Sequence, residues 1–204
     1  MLCLALTAMG AQLPVISEQV VAGGSKDPLA GRFGGPFSLT THDGRAVSDV
    51  DFRGRFMLVY FGYTHCPDVC PVGLSVMAAA LDLAGTDAAL VQPLFVTVDP
   101  GRDTTLVLGE YAKSFHPRLI ALTGTQAQIE AVAKAYKVHR RKVPMPSAAD
   151  PHDYVVDHGS LTYLMGPDGT FRTLIPHNTT PDRMASLVSN YVRAELAGPV
   201  SEMR

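Results

Sequence analysis

Two cysteines stand at a spacing that supports chemistry. Cys66-Pro67-Asp68-Val69-Cys70 sets two thiols four residues apart, which on a helix is one turn along one face. The apolar run Phe56 to Phe61 precedes them. Val72 to Ala84 follows, with Leu74, Met77, Ala78 and Leu81 at helical spacing. The pair therefore falls where a buried strand turns into a helix. Free backbone N–H groups and the positive end of the helix dipole there favour thiolate over thiol. With Cα atoms about 6 Å apart, two such residues can close a disulfide or pinch a soft metal ion between them. The plain alternative is a pair of buried cysteines packing as small hydrophobes. Pro67 and Pro71 beside them, at a junction rather than in an apolar stripe, argue against it.

Two thiolates leave a metal site incomplete, and imidazole beside thiolate suits copper or zinc. The histidines are His42, His65, His116, His139, His152, His158 and His177. Neighbouring side chains at a turn diverge, so His65 is expected to be exposed although it abuts Cys66. His42 falls in a hairpin turn, where solvent explains it. His116 falls at a helix end, where the dipole explains it. His139 and His152 lie in or beside a polar loop. His158 follows the β-prone Val155-Val156 and precedes Gly159, at a strand edge after that loop. Spacing leaves the third ligand open.

The elements that must position these groups can be read along the chain. Phe37-Ser38-Leu39 and Arg45-Ala46-Val47 flank Asp43-Gly44, a hairpin signal. Phe56–Phe61 and Leu94–Val98 read as strands buried on both faces. Thr104 or Thr105 caps a helix reaching about Phe115, and Leu119–Leu122 is a short strand. Thr125-x-x-Gln128 matches a capping box, with Ile129, Val132, Ala133 and Tyr136 on the helical stripe. The stretch from Val138 to Asp153 is polar, holds Pro144, Pro146 and Pro151, and reads as a long loop. Leu161–Met165 and Phe171–Ile175 flank Pro167-Asp168-Gly169, a second hairpin. Thr180-Pro181 opens a last helix with Met184, Leu187, Val188, Tyr191 and Val192 on its stripe. Strands alternating with helices imply an α/β fold with a parallel core sheet, to which hairpins add antiparallel strands.

Composition sets the outer bounds. The chain has 204 residues, 47% hydrophobic and 18% charged, with a formal net charge of −2 and a pI near 6.4. That excludes collagen, coiled coil and a multi-span membrane protein. It excludes disorder for most of the chain. Nothing marks nucleic acid as a partner, because no basic excess is present. Three cysteines are too few for a disulfide scaffold. Residues 1–13 are apolar and uncharged, too short to span a bilayer. They resemble the core of a signal peptide or a truncated anchor, with small residues at Ala8-Met9-Gly10. Cys3 within them reads as a buried or removed residue. Residues 14–35 read as a linker, 36–198 as the body and 199–204 as a tail.

At this point the sequence resembles a known family. Phe61-Gly62-Tyr63-Thr64-His65-Cys66-Pro67-Asp68-Val69-Cys70-Pro71 is similar to the signature of the SCO/SenC copper chaperones. Val96-Thr97-Val98-Asp99-Pro100-Gly101-Arg102-Asp103-Thr104 and Leu122-Thr123-Gly124-Thr125 resemble its next blocks. Asp153-Tyr154-Val155-Val156-Asp157-His158-Gly159-Ser160 resembles the block that carries its metal histidine. The resemblance runs from about Pro36 to Leu196. It implies a thioredoxin-like fold, a central mixed sheet flanked by helices, with an extra N-terminal β-hairpin and an insertion before the histidine. It implies copper, as Cu(I) or Cu(II), on Cys66, Cys70 and His158, with Cys66 and Cys70 also a redox-active pair. It implies delivery of copper to the binuclear copper site of cytochrome c oxidase subunit II, or reduction of that subunit's cysteines, among other copper-delivery proteins. Family members usually face the periplasm or the mitochondrial intermembrane space from an N-terminal membrane anchor. The expected location is thus the periplasmic side of a bacterial inner membrane. The apolar stretch here is shorter than such an anchor.

Two soft thiolates and one imidazole suit three-coordinate Cu(I), whereas Cu(II) would take a further N or O ligand from Asp153, Asp157, water or a partner. The rival from another class is a thiol–disulfide oxidoreductase, which needs the cysteines and not His158. The C-x-x-C spacing of thioredoxin is absent. A peroxidase is suggested by fold alone, and a closed zinc site would want a fourth protein ligand. Asp99 and Asp103 read as turn and cap residues. Arg140-Arg141-Lys142 reads as a solvated loop, Met145 as gap-filling or exposed, and Tyr63 and Tyr60 as core and rim of the site.

Overall fold

The computed structural model describes residues 31–145 and 153–198. The apolar signal-like segment and Cys3 lie outside the described residues. β3 (Phe56–Gly62) and β4 (Val91–Thr97) are buried at every position, as strands covered on both faces must be. They pair in parallel, from Phe56 opposite Val91 to Gly62 opposite Thr97. Burying each Phe, Leu or Val of this pair contributes about 1.5–3 kcal/mol.

β5 (Ile120–Thr123) continues the parallel sheet beyond β4. The hairpin of β1 (Ser38–Thr41) and β2 (Ala46–Ser48) adds to β5 in antiparallel sense. Its turn uses Gly44 at φ +86°, a conformation glycine adopts without strain. On the other side β8 (Thr162–Met165) runs antiparallel to β3, and β9 (Phe171–Ile175) closes the edge. The seven-stranded order is β2-β1-β5-β4-β3-β8-β9. This is the mixed, thioredoxin-like sheet with its additional N-terminal hairpin.

Among the described residues four helices flank it: α1 (Val69–Ala84), α2 (Thr105–Lys113), α3 (Gln126–Ala135) and α4 (Pro181–Ala197). The Thr104 hydroxyl caps α2, accepting from Val107 N–H at 3.3 Å. The Thr125/Gln128 capping box opens α3. Leu74, Met77, Ala78 and Leu81 of α1 are buried as their spacing requires. Val69–Leu90, α1 with the 3-10 turn after it, is long and apolar enough by composition to cross a membrane. Here it packs against α4 and the sheet as a core helix.

The stretch from Val138 to Asp153, read as a long loop, holds a strand that pairs with the one following it. β6 (Arg140–Pro144) and β7 (Tyr154–His158) pair antiparallel, Arg140 opposite His158 and Pro144 opposite Tyr154. This ribbon is a separate two-stranded sheet. It buries Val156 and exposes most of its charged positions. The alternation of apolar and polar residues that marks a half-buried strand is therefore nearly absent from its sequence. Upstream of the main sheet, Phe33 packs its ring 4.9 Å from Phe171 and 6.1 Å from Tyr163.

Candidate metal centre

Cys66 and Cys70 lie where β3 passes into α1. Cys70 is fully buried in the first turn of the helix, and Cys66 is half-buried in the turn before it. Gly62, the last residue of β3, makes room for them. A Cβ at this position would stand 2.7 Å from Cys70 Sγ and 2.8 Å from the Phe95 ring. Below, the Tyr60 hydroxyl donates to the Val69 carbonyl at 3.1 Å. Both Tyr60 and Tyr63 are buried, so Tyr60 belongs to the core of the site rather than to its rim.

His158 ends β7, 88 residues along the chain from Cys70, with Nε2 3.2 Å from Cys70 Sγ. Its Nδ1 lies 2.9 Å from the Gly159 carbonyl. A carbonyl only accepts, so in the neutral ring Nδ1 carries the proton and Nε2 presents a lone pair to the sulfurs. The Tyr63 ring meets the imidazole edge to face, with centroids 5.6 Å apart. The donor atoms of Cys66, Cys70 and His158 all lie within 4.8 Å of one another. Metal bonds of about 2.0–2.3 Å to nitrogen and sulfur place trigonal donors about 4 Å apart, so one soft ion fits among the three.

The two thiols are not equivalent. The thiol of Cys70 donates to Cys66, His158 lies beside it, and the N–H groups of Asp68 and Cys70 also point at the Cys66 sulfur; together they lower its pKa to about 4 against the opposing effect of burial. Donating to Cys66 and being buried push Cys70 in the opposite direction. The metal-free reduced site thus holds one thiolate and one thiol. A metal ion that takes both sulfurs must displace the proton of Cys70.

Asp99 and Asp103, which read in the sequence as turn and cap residues, do more than that. Both are fully buried and tie the site together. The Asp103 carboxylate accepts from Thr64 N–H at 3.1 Å, from the Thr64 hydroxyl at 2.6 Å and from the Thr97 hydroxyl at 2.6 Å. It thereby anchors the turn that carries Cys66 to the end of β4. Burial raises the Asp103 pKa against these hydrogen bonds. Asp99 accepts from Arg102 Nε at 2.5 Å and from the Tyr154 hydroxyl at 2.9 Å, reaching the ribbon that ends in His158. The blocks holding these residues were visible in the sequence. Nothing in their spacing reported which side chains turn inward.

Among the described residues, the other histidines stay apart from this group. His65 is exposed, with Nδ1 3.1 Å from the Thr64 hydroxyl. His139 pairs with Asp157 on the exposed side of the ribbon at 3.3 Å. His116 Nδ1 accepts from Arg118 N–H at 3.1 Å. His42 is not simply solvated: its Nδ1 accepts from Ala121 N–H at 3.2 Å and stitches the first hairpin to β5. His152 lies outside the described residues.

The SCO1/SenC family profile matches residues 25–193. The human mitochondrial protein named SCO1 homolog is 43% identical over 162 residues, covering 78% of this chain and 53% of that protein. The chain spans about half the length of the curated relatives it matches. The copper-bound structure of Bradyrhizobium japonicum ScoI is 42% identical; the match covers 78% of this chain and 99% of that one, with a TM-score of 0.71. The structure of BsSco, described as having a disulfide switch and as a member of the Sco family of cytochrome c oxidase assembly proteins, is 28% identical. That match covers 84% of this chain and 98% of that one, with a TM-score of 0.64.

Proposed function

The chain belongs to the SCO1/SenC family, and from that premise we propose that it is a copper metallochaperone whose cargo is held by Cys66, Cys70 and His158. The observation that carries the reading is the meeting of these three donors from separate elements within 4.8 Å. Two thiolates and an imidazole suit Cu(I), and soft sulfur ligands select it over harder ions. Cys66 is open enough to solvent for ligand exchange. In this reading the acceptor is the binuclear copper site of cytochrome c oxidase subunit II, and the protein works on the periplasmic side of a bacterial inner membrane. Residues 36–198 form the working domain.

A second reading rests on the unequal thiols. The Cys66 thiolate can attack a partner disulfide and form a mixed disulfide as one partner thiolate leaves. Cys70, losing its proton, then attacks Cys66 Sγ and releases the second partner thiolate. The partner gains two electrons and this chain closes Cys66–Cys70. Oxidised in that way, the pair cannot hold copper, so the two activities exclude each other in one molecule at one moment.

The test is a copper titration of the reduced protein beside Cys66→Ala, Cys70→Ala and His158→Ala. Equimolar uptake with an intense thiolate-to-Cu(II) charge-transfer band is expected for the wild type. Either cysteine variant should lose uptake, and His158→Ala should weaken it and shift the band. Unchanged binding in all three variants would remove the site. Turnover of a disulfide substrate that survives His158→Ala, in a protein that takes up no copper, would favour the second reading.

A further inference from the structure

The ribbon that carries His158 poses a problem of placement. Among the described residues β6 and β7 pair only with each other, so no backbone ladder registers them against the seven-stranded sheet. Yet His158 Nε2 must be held to within a few tenths of an ångström for metal ligation. Side chains from the β4–α2 loop hold the ribbon instead. Arg102 Nη1 donates to the Tyr154 carbonyl at 3.0 Å. The Arg102 guanidinium stacks over the Tyr154 ring, 3.8 Å from its centroid. The Tyr154 hydroxyl donates to Asp99 at 2.9 Å. Arg140 Nε adds a bond to the Val98 carbonyl at 3.1 Å.

Strand periodicity joins this anchor to the metal centre. Successive side chains of a strand alternate faces, so Tyr154, Val156 and His158 share one face. Tyr154 sits on Asp99 and Arg102, Val156 is buried, and His158 meets Cys70. The lever from Tyr154 to His158 is about 13 Å long at the strand rise of about 3.3 Å per residue. On the loop side, Asp99 N–H donates to the Thr97 hydroxyl at 2.9 Å, and Thr97 donates to Asp103, which holds Thr64 beside the cysteine turn. Arg102 also lies 5.7 Å from the ring centroid of Tyr63, the residue that abuts His158.

We infer that Asp99, Arg102 and Tyr154 form a latch that sets His158 over the cysteine pair, with Tyr154 a positioning residue acting on copper through His158 alone. The inference rests on the reading of His158 as a ligand. Tyr154→Phe keeps the ring on Arg102 and loses the bond to Asp99. Tyr154→Ala loses both. Side chains that orient a ligand cost roughly 10–100-fold in metal affinity when removed. Tyr154→Ala should therefore weaken Cu(I) binding at least about tenfold in competition with a chromogenic chelator, and Tyr154→Phe by less. In the His158→Ala background either change should leave affinity within about twofold, because the group being positioned is gone.

The test is the double-mutant cycle of Tyr154 and His158, read by Cu(I) competition and by the Cu(II) spectrum. Amide hydrogen exchange of the metal-free protein gives a readout independent of copper. Tyr154→Phe, which retains the ring and the packing of the fold, should speed exchange in residues 154–159 and leave β3 and β4 unchanged. Equal losses with and without His158 would overturn the latch, since Tyr154 would then act on the fold at large. So would full affinity and unchanged exchange in both Tyr154 variants while His158→Ala binds weakly. If His158→Ala itself binds copper as the wild type does, the ligand assignment fails, whatever Tyr154 does.

Discussion

At the residue scale the two cysteines divide the work. Cys66 is the accessible sulfur and is held as thiolate, its pKa lowered from an ordinary 9 to about 4 by the thiol of Cys70, by His158 and by backbone N–H groups. Iodoacetamide should modify Cys66 first in the reduced metal-free protein. The rate should stay high at pH 6 and fall only as pH approaches 4, with Cys70 unreacted; mass spectrometry of peptides against pH checks this. Stability carries the same signature. A group whose pKa is depressed by folding contributes stability that is complete above its unfolded value and is lost as pH falls through its folded one. The urea midpoint of the wild type minus that of Cys66→Ser, in reductant, should therefore grow from pH 4 to pH 9. Gly62 makes the neighbouring prediction. Its Cβ would press on Cys70 Sγ and Phe95, so Gly62→Ala should cost about 1–3 kcal/mol in urea unfolding, as overpacking does, and dim the charge-transfer band.

At the scale of elements, three pieces of chain converge: the β3–α1 turn with the cysteines, the β4–α2 loop with the buried aspartates, and β7 with the histidine. The loop is the mediator. Asp103→Ala would leave Thr64 N–H and the hydroxyls of Thr64 and Thr97 without their acceptor. Each buried group stranded in that way costs about 1–3 kcal/mol. The expected result is a loss of several kcal/mol in urea unfolding, smaller for Asp103→Asn, which keeps an acceptor oxygen. A midpoint unmoved by Asp103→Ala would mean that the cysteine turn does not depend on this carboxylate. The ribbon itself shows why polar segments mislead. Arg140 and Lys142 are strand residues whose side chains reach the Val98 carbonyl and the Tyr154 hydroxyl.

At the scale of the molecule, the sheet acts as the frame and copper as a linked ligand. Ligand bound by the native state alone stabilises it by RT ln(1 + [L]/Kd), about 2.7 kcal/mol at a free concentration a hundred times Kd. For a body of this size that corresponds to a rise in Tm of roughly 5–10 °C. Cu(I), held at that free level by a chelator buffer, should produce the rise in the reduced wild type. It should produce none in Cys66→Ser/Cys70→Ser, nor in protein whose Cys66–Cys70 pair has been oxidised. A rise in the double variant, followed by calorimetry, would place the stabilising copper elsewhere. The same frame explains the apolar helix α1, whose hydrophobicity serves the core on which the cysteine turn is mounted.

What the sequence determined by itself were the local features. The runs Phe56–Phe61 and Leu94–Val98 are nearly all apolar, as a strand covered on both faces is. The caps at Thr104 and Thr125 are written in short-range hydrogen-bond chemistry, so they are legible one turn at a time. The cysteine pair at a strand–helix junction was legible for the same reason. Tertiary structure decided the rest. His158 reaches Cys70 across 88 residues because of how β7 crosses the end of the sheet, and residue types within each segment do not encode that crossing. The charges of Arg102, Asp99 and Asp103 look like an ordinary polar turn in one dimension. Folding buries both aspartates completely, and a buried carboxylate must find donors. Those donors, on the cysteine turn and on the ribbon, are what bring the two thiols and the imidazole to one point.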